Sequence, residues 1–249
     1  MSRLLADRIA LVTGASRGIG AAIARKLAEV GAHVVAVART VGALEELDDA
    51  IRTAGSTATL VPLDLKDVEG IARLAAALDQ RYGRLDVLVG NAAIFGPPSP
   101  LRHVEAAAWD EVMAVNVTAN WHLVRCMEPL LKISDAGRAV FVTSGAAFSA
   151  KAYWGAYSVS KAALDVLART WAAETATTAV RVNLFNPGPT RTRMRAAVMP
   201  GEDPMTLPSP ADVAEKMLDL CLPSFTETGT LYDYRKRALL EFQPPTPLR

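Results

Sequence analysis

The sequence predicts an α/β fold: one doubly wound, mostly parallel seven-stranded sheet with helices on both faces. Three observations lead there. Short apolar runs alternate with longer amphipathic ones along the chain, the rhythm of strand–helix–strand units. The short runs are apolar throughout instead of alternating, as strands buried on both faces require. The 249 residues are 51% hydrophobic but only 6% aromatic, so the core must be built from Ala, Val, Leu and Ile.

Each element follows from its own pattern. Residues 8–13 read as the first strand. A helix over 19–30 carries Ile19, Ile23, Leu27 and Val30 at helical spacing and stops at Gly31. Residues 33–38 form a second strand. A second helix over 41–54 is stopped by Gly55, and 57–62 is a third strand. A third helix over 68–82 is stopped by Gly83, and 85–89 is the fourth strand. A long helical stretch lies within 105–131, a strand at 138–143, a helix over 152–175 and a strand at 180–185. An irregular region rich in Met, Pro and Gly follows, then a last helix over 210–220 and a last strand at 229–233. No repeat or linker divides the chain, so residues 1–249 are read as a single domain. Residues 235–249 start with the basic cluster Arg235-Lys236-Arg237. The proline-rich 243–247 within them cannot form a regular element.

Charge and composition exclude several functions. Lys and Arg number 27 against 26 Asp and Glu, a balance that favours neither nucleic acid nor an anionic membrane. Cys126 and Cys221 lie in apolar helical contexts and read as buried thiols. With His33, His103 and His122 they show no metal-binding spacing, so no metal is expected. No long apolar run precedes the first strand, and none is long enough to span a membrane. The expectation is a cytoplasmic enzyme.

The first strand runs into Thr13-Gly14-Ala15-Ser16-Arg17-Gly18-Ile19-Gly20 and then a helix. Glycines are needed where the backbone turns tightly and where a phosphate must come close. The new helix offers free N–H groups and a positive dipole end to a pyrophosphate. An ordinary βα turn would not need this set, and the strand-to-helix context supports the dinucleotide reading. The motif resembles the Thr-Gly-x-x-x-Gly-x-Gly turn of the short-chain dehydrogenase/reductase family. That resemblance implies a Rossmann-type fold and an oxidoreductase using NAD(P). It extends from Arg8 to about Asp233.

Cofactor choice is read at the second strand, which ends Val37-Ala38-Arg39-Thr40. An acid there would bind the 2′-hydroxyl of NAD. None is present, and Arg17 and Arg39 offer guanidinium forks suited to a 2′-phosphate. NADP(H) is therefore favoured over NAD(H), in the manner of the family's NADP(H)-preferring carbonyl and 3-oxoacyl reductases. The resemblance assigns Asp64, followed by Leu65, to the adenine. Asp67 is the better cap for the helix that follows. Gly90-Asn91-Ala92-Ala93 stands where the family has Asn-Asn-Ala-Gly, with cofactor contact expected from Asn91 and Ala92.

Tyr157-Ser158-Val159-Ser160-Lys161 sets a phenol and an ammonium four residues apart, on one face of a helix. A tyrosine loses its proton near pH ~10, and a nearby ammonium lowers that value. The pair can then act as general acid or base. Exposed helices carry such pairs by chance, but Ser144 lies thirteen residues earlier at a strand end, the family's spacing for its catalytic serine. The resemblance makes Asn116, Ser144, Tyr157 and Lys161 the catalytic set. Ser144 steadies the substrate oxygen, Asn116 distorts its helix and holds a water linked to Lys161, and Lys161 also binds the nicotinamide ribose. In Asn186-Pro187-Gly188-Pro189-Thr190-Arg191-Thr192, the resemblance places Pro187 and Gly188 beside the nicotinamide. It gives Thr190 and Thr192 bonds to the cofactor.

The implied reaction is hydride transfer between nicotinamide and a ketone, aldehyde or 3-oxoacyl carbonyl, or the matching alcohol. An NAD-dependent alcohol dehydrogenase and a non-catalytic dinucleotide sensor are the alternatives. Phe95, Phe148, Trp154 and Met194 suggest an apolar pocket. Residues 194–207 correspond to the variable substrate loop, with a mobile lid at 199–204. By analogy the chain forms a homo-oligomer, a tetramer or dimer.

Overall fold

The computed structural model describes residues 3–242. Its strands are β1 (Ile9–Thr13), β2 (His33–Ala38), β3 (Ala58–Pro62), β4 (Val87–Gly90), β5 (Arg138–Val142), β6 (Arg181–Asn186), β7 (Leu231–Asp233) and β8 (Ala238–Leu240). The helices are α1 (Gly18–Glu29), α2 (Val41–Thr53), α3 (Val68–Tyr82), α4 (Ala106–Met113) and α5 (Ala119–Ile133). After them come α6 (Ala146–Ser149), α7 (Gly155–Glu174), α8 (Arg193–Val198) and α9 (Pro210–Cys221).

The strands form one sheet in the order β3-β2-β1-β4-β5-β6-β7-β8, parallel except for β8. The chain winds outward from β1 to β3, then restarts at β4 on the other side of β1. That reversal opens a crevice at the carboxyl ends of β1 and β4, where open α/β sheets bind ligands.

Alternate residues of each strand feed opposite cores, as a two-residue period demands. Ala10 and Val12 join Leu27, Leu44, Ile51 and Met217 on the side of α1, α2 and α9. Ile9 and Leu11 join Leu74, Met127, Leu164 and Trp171 on the side of α3, α5 and α7. Cys221 is buried and Cys126 only half-buried, which corrects the expectation of two buried thiols.

Among the described residues the sheet has eight strands, not seven. The eighth is a hairpin return: Asp233 Oδ1 accepts from Lys236 N at 2.9 Å, and Ala238–Leu240 runs antiparallel to β7. Three apolar residues are too short a run to show a period, so the sequence reading placed them in the basic tail. The proline-rich segment of that tail lies outside the described residues.

Two helical expectations change. The stretch within 105–131 is three pieces, with a wide π-turn at Ala114–Thr118 between α4 and α5. The helix expected from 152 starts at Gly155. Before it, Ala150 and Tyr153 adopt left-handed φ values of 43° and 70°, and Tyr153 O accepts from Ser99 N at 3.0 Å. Tertiary contact, not propensity, sets that boundary. The irregular region also contains α8.

Candidate active site

The glycine turn closes tightly on β4. Gly14 has φ 65°, and a β-carbon there would lie 2.9 Å from Ala92 Cα. At Gly20 a β-carbon would stand 2.2 Å from Gly14 O. No side chain caps α1 at Arg17, so its first N–H groups stay free toward the turn where Ser16, Gly18 and Ile19 sit. Thr13 is the hub of this corner and was missed by sequence reasoning. Its Oγ1 accepts from Asn91 N at 3.0 Å and Ala92 N at 3.1 Å, while Asn91 Nδ2 donates to Thr13 O at 2.9 Å. Asn91 and Ala92 therefore clamp β4 to the glycine turn, and both their N–H groups are engaged within the protein.

Arg17 and Arg39 are both exposed. Arg39 Nη1 lies 4.0 Å from Asp64 Oδ2, a loose surface pair. Asp64 Oδ1 accepts from Lys66 N, Leu65 is buried, and Asp67 caps α3 by accepting from Gly70 N at 2.8 Å. The carboxylate that meets Arg39 at the end of β2 is thus that of Asp64, beyond β3.

At the carboxyl end of β5 and β6 the loops are tied by Asn186, another missed residue. Its Oδ1 accepts from Gly145 N and Gly188 N, each at 3.1 Å, and its Nδ2 donates to Asp233 at 3.0 Å. Pro187 thus starts a fixed turn. Thr190 is buried and points its hydroxyl back to the Pro187 and Gly188 carbonyls. Thr192 accepts from Arg195 N at 3.2 Å as the cap of α8. Its Cγ2 would be 3.4 Å from a β-carbon at Gly18, so it abuts the glycine turn.

The segment read as a lid carries local ties of its own. Arg195 donates to both carboxylate oxygens of Glu202, at 2.5 and 2.7 Å, and Asp203 caps a short turn at Pro204–Thr206. A cleft of about 470 Å³ is lined by this segment and its neighbours, Arg191, Met199 and Leu207 among them.

Ser144, Tyr157 and Lys161 converge beyond β5. Tyr157 is buried in α7 and its ring stacks on Phe95 at 4.8 Å, with Trp154 edge-on to Phe95 at 4.9 Å. Phe148 instead faces Phe242, and Met194 is exposed. Lys161 is 2% exposed and donates to Val142 O at 2.7 Å, with its Nζ 5.7 Å from the centre of the Tyr157 ring. Asn116 sits in the π-turn, where its amide donates to Ile94 O at 2.8 Å and Ser160 Oγ at 2.9 Å. Its Oδ1 accepts from Ile94 N at 2.9 Å. The expected helix distortion is present, and the Asn116 side chain bridges the Ile94 loop to the residue before Lys161.

The electrostatics correct one expectation. Lys161 was expected to draw the Tyr157 pKa down. Burial dominates and pushes it up to about 12, with the Ser144 hydroxyl pulling the other way. Burial pushes Lys161 down to about 8, opposed by Asp165. Tyr157 is therefore a protonated phenol at neutral pH, suited to donating a proton.

A family profile described as short chain dehydrogenase matches residues 8–203. The chain is 40% identical to the uncharacterized oxidoreductase YciK of Escherichia coli (strain K12), covering 92% of each. It is 36% identical to the cis-4-hydroxycyclohexanecarboxylate dehydrogenase of Sinomonas cyclohexanicum, covering 86% of this chain and 89% of that one. Among solved structures, a candidate short chain dehydrogenase from Shigella flexneri 2a str. 301 complexed with NADP superposes with TM-score 0.91. It is 38% identical, covering 94% of this chain and 100% of that one. A candidate short chain dehydrogenase from Escherichia coli CFT073 complexed with NADPH gives TM-score 0.89 at 39% identity, covering 93% and 98%.

Proposed function

The chain belongs to the short chain dehydrogenase family, an oxidoreductase acting on CH–OH or C=O groups, and from that premise we propose that it uses NADP(H) to reduce a ketone, aldehyde or 3-oxoacyl carbonyl. One observation carries the reading: Tyr157, buried and protonated, faces Ser144 at the carboxyl edge of the sheet, with Lys161 one helical turn behind.

The residues fit that cofactor. A β-carbon at Gly14 or Gly20 would collide with neighbouring backbone, so the turn is shaped for close approach, and the uncapped start of α1 faces it. Gly14, Ser16, Gly18, Ile19 and Gly20 would hold the pyrophosphate, and Arg17 and Arg39 a 2′-phosphate. Asp64 and Leu65 would meet the adenine, and Asn91 and Ala92 the adjoining ribose. Pro187, Gly188, Thr190 and Thr192 would border the nicotinamide. The chemistry the cofactor supplies when bound is hydride donation or acceptance. NADP and NADPH in the two similar structures support the choice.

The chain's own residues do the rest. Ser144 orients the substrate oxygen and stabilises charge developing on it. Tyr157 donates its phenolic proton to that oxygen in reduction and takes it back in oxidation. Lys161 sits where it can steady the phenolate that forms, and Asn116 holds the π-turn against α7. Phe95 and Trp154 exclude water around the phenol. A homo-oligomer in the cytoplasm completes the proposal. It is supported by the exposed apolar residues Trp121, Val159 and Val166 on α5 and α7. Among the described residues no helix is long and apolar enough to cross a membrane.

Titration with NADPH and NADH, followed by nicotinamide fluorescence, tests the cofactor. Tighter NADPH binding is expected, and equal or reversed preference would sink the arginine clamp.

A further inference from the structure

Beyond Lys161, the next residue on the same face of α7 is Asp165, 3% exposed in the core of the molecule. Its Oδ1 accepts the Thr143 hydroxyl. Its Oδ2 is buried and has no hydrogen-bond partner among the described residues. A buried carboxylate with one oxygen unpartnered is expensive, and such groups call for an explanation.

Three consecutive residues at the end of β5 meet three successive turns of α7. Val142 O accepts from Lys161 Nζ, Thr143 donates to Asp165, and Ser144 faces Tyr157. Thr143 N also donates to Phe185 O at 2.9 Å, which ties the same residue to β6. The proton-donating pair and the strand end carrying Ser144 are thus docked together by one helix face, at Tyr157, Lys161 and Asp165.

We propose that Asp165 is a positioning residue of this site: its carboxylate keeps the buried Lys161 ammonium charged and locks the Thr143–Ser144 strand end against α7. The inference rests on the hydride-transfer reading and goes beyond it, because Asp165 touches none of the reacting atoms.

The physical reason is local. Burial disfavours the ammonium, and Asp165 is the charge that opposes that loss. Lys161 and Arg169 in return favour the ionised Asp165, as does the Thr143 hydroxyl, against burial that pushes it up to about 6. Lys161 and Arg169 lie on α7 itself. Among the described residues no charged group on β5, β6, α4 or α5 contributes to that shift. Between pH about 6 and about 8 the two groups thus stand as carboxylate and ammonium.

The test uses the full chain with lysines labelled at ¹⁵Nζ and ¹³Cε, the Lys161 signal being identified by its loss in Lys161→Met. Asp165→Asn keeps the size and removes the charge. The Lys161 titration midpoint should fall by about one pH unit, the effect of losing a nearby opposite charge. An unchanged midpoint in a variant that melts as the wild type does would overturn the proposal. Should Asp165→Asn not fold, Thr143→Val decides. It removes the bond that locks the Thr143–Ser144 strand end against α7, so kcat should fall with KM for NADPH little changed. A kcat identical to wild type in that variant would refute the proposal too.

Activity separates the two readings. With NADPH and ethyl acetoacetate as probe, the alkaline limb of the kcat profile should move to lower pH in Asp165→Asn, with KM for NADPH little changed. If Tyr157→Phe oxidises NADPH as fast as wild type, the hydride-transfer reading fails. The Lys161 titration still decides the electrostatic role of Asp165.

Discussion

Asp86 and Asp165 are both buried aspartates, one at each end of the same sheet, and they are treated oppositely. Asp86 stands before β4 at the amino-terminal edge. Its oxygens accept from Arg8 at 2.9 Å, Arg84 at 3.1 Å, Ser134 at 2.6 Å and Ile9 N at 2.8 Å. Those bonds outweigh its burial and hold its carboxyl below the usual range. Asp165, beyond the carboxyl-terminal edge, has one hydroxyl partner and one bare oxygen, and burial pushes it up to about 6. Charge is satisfied where the sheet must only hold together. It is left under-satisfied beside the groups that the proposed reaction uses to move a proton.

The largest expected effect attacks the carboxyl edge. Tyr157→Phe should cost about 10³-fold in kcat, the scale of a positioned proton donor, while NADPH binding by fluorescence titration stays near wild type. Near-normal turnover would erase the functional side of the comparison.

Next is the amino edge. Asp86→Asn leaves Arg8 and Arg84 without their buried partner and should cost about 3 kcal/mol in denaturant unfolding at neutral pH, with kcat unaffected. Its pH dependence sharpens the contrast. The Asp86 pKa is depressed by folding, so its stabilisation is present above the unfolded carboxylate value and lost as pH falls through the folded one. Asp165 has the opposite sign. Its folded value is raised, so its contribution is fullest below the unfolded value and is lost as pH rises through about 6. Wild type and the two Asn variants, unfolded across pH 3–8, should therefore diverge in opposite directions.

Arg39→Asp comes third. It would replace the proposed charge-assisted bond to a 2′-phosphate by repulsion and should change the NADPH/NADH ratio of kcat/KM by about ten- to a hundredfold. An unmoved ratio would remove Arg39 from the cofactor site. The smallest effect is Thr192→Val, which deletes the cap of α8 and should lower stability by about 1 kcal/mol in thermal melts. A larger rise in KM for NADPH than loss of stability would show that Thr192 also serves the glycine turn it abuts.

Residues that act through a local pattern were legible early. The glycine turn announces itself because Gly14 and Gly20 leave no room for a β-carbon. Tyr157 and Lys161 are visible because a helix puts fourth neighbours on one face. Thr13, Asn186 and Asp165 were given no role, since each is a common polar residue with a partner 22 to 79 positions away in the chain. The π-turn was foreseen only as a distortion at Asn116, and β8 not at all. One extra residue in a helical turn and a three-residue strand leave no period to read.

What the sequence determined by itself is the architecture and the choice of chemistry. Apolar strands spaced by amphipathic helices can bury their surface only as a covered parallel sheet, and the glycine turn with Ser144, Tyr157 and Lys161 carries the resemblance to the family. What only the tertiary structure decided is protonation and the bonds that join distant loops. Burial raises Tyr157 to about 12 and lowers Lys161 to about 8, and Asn186 ties the turn after β6 to Asp233 across 47 positions of the chain. Solvation and long-range hydrogen bonds are properties of the packed environment, which no local stretch of sequence contains.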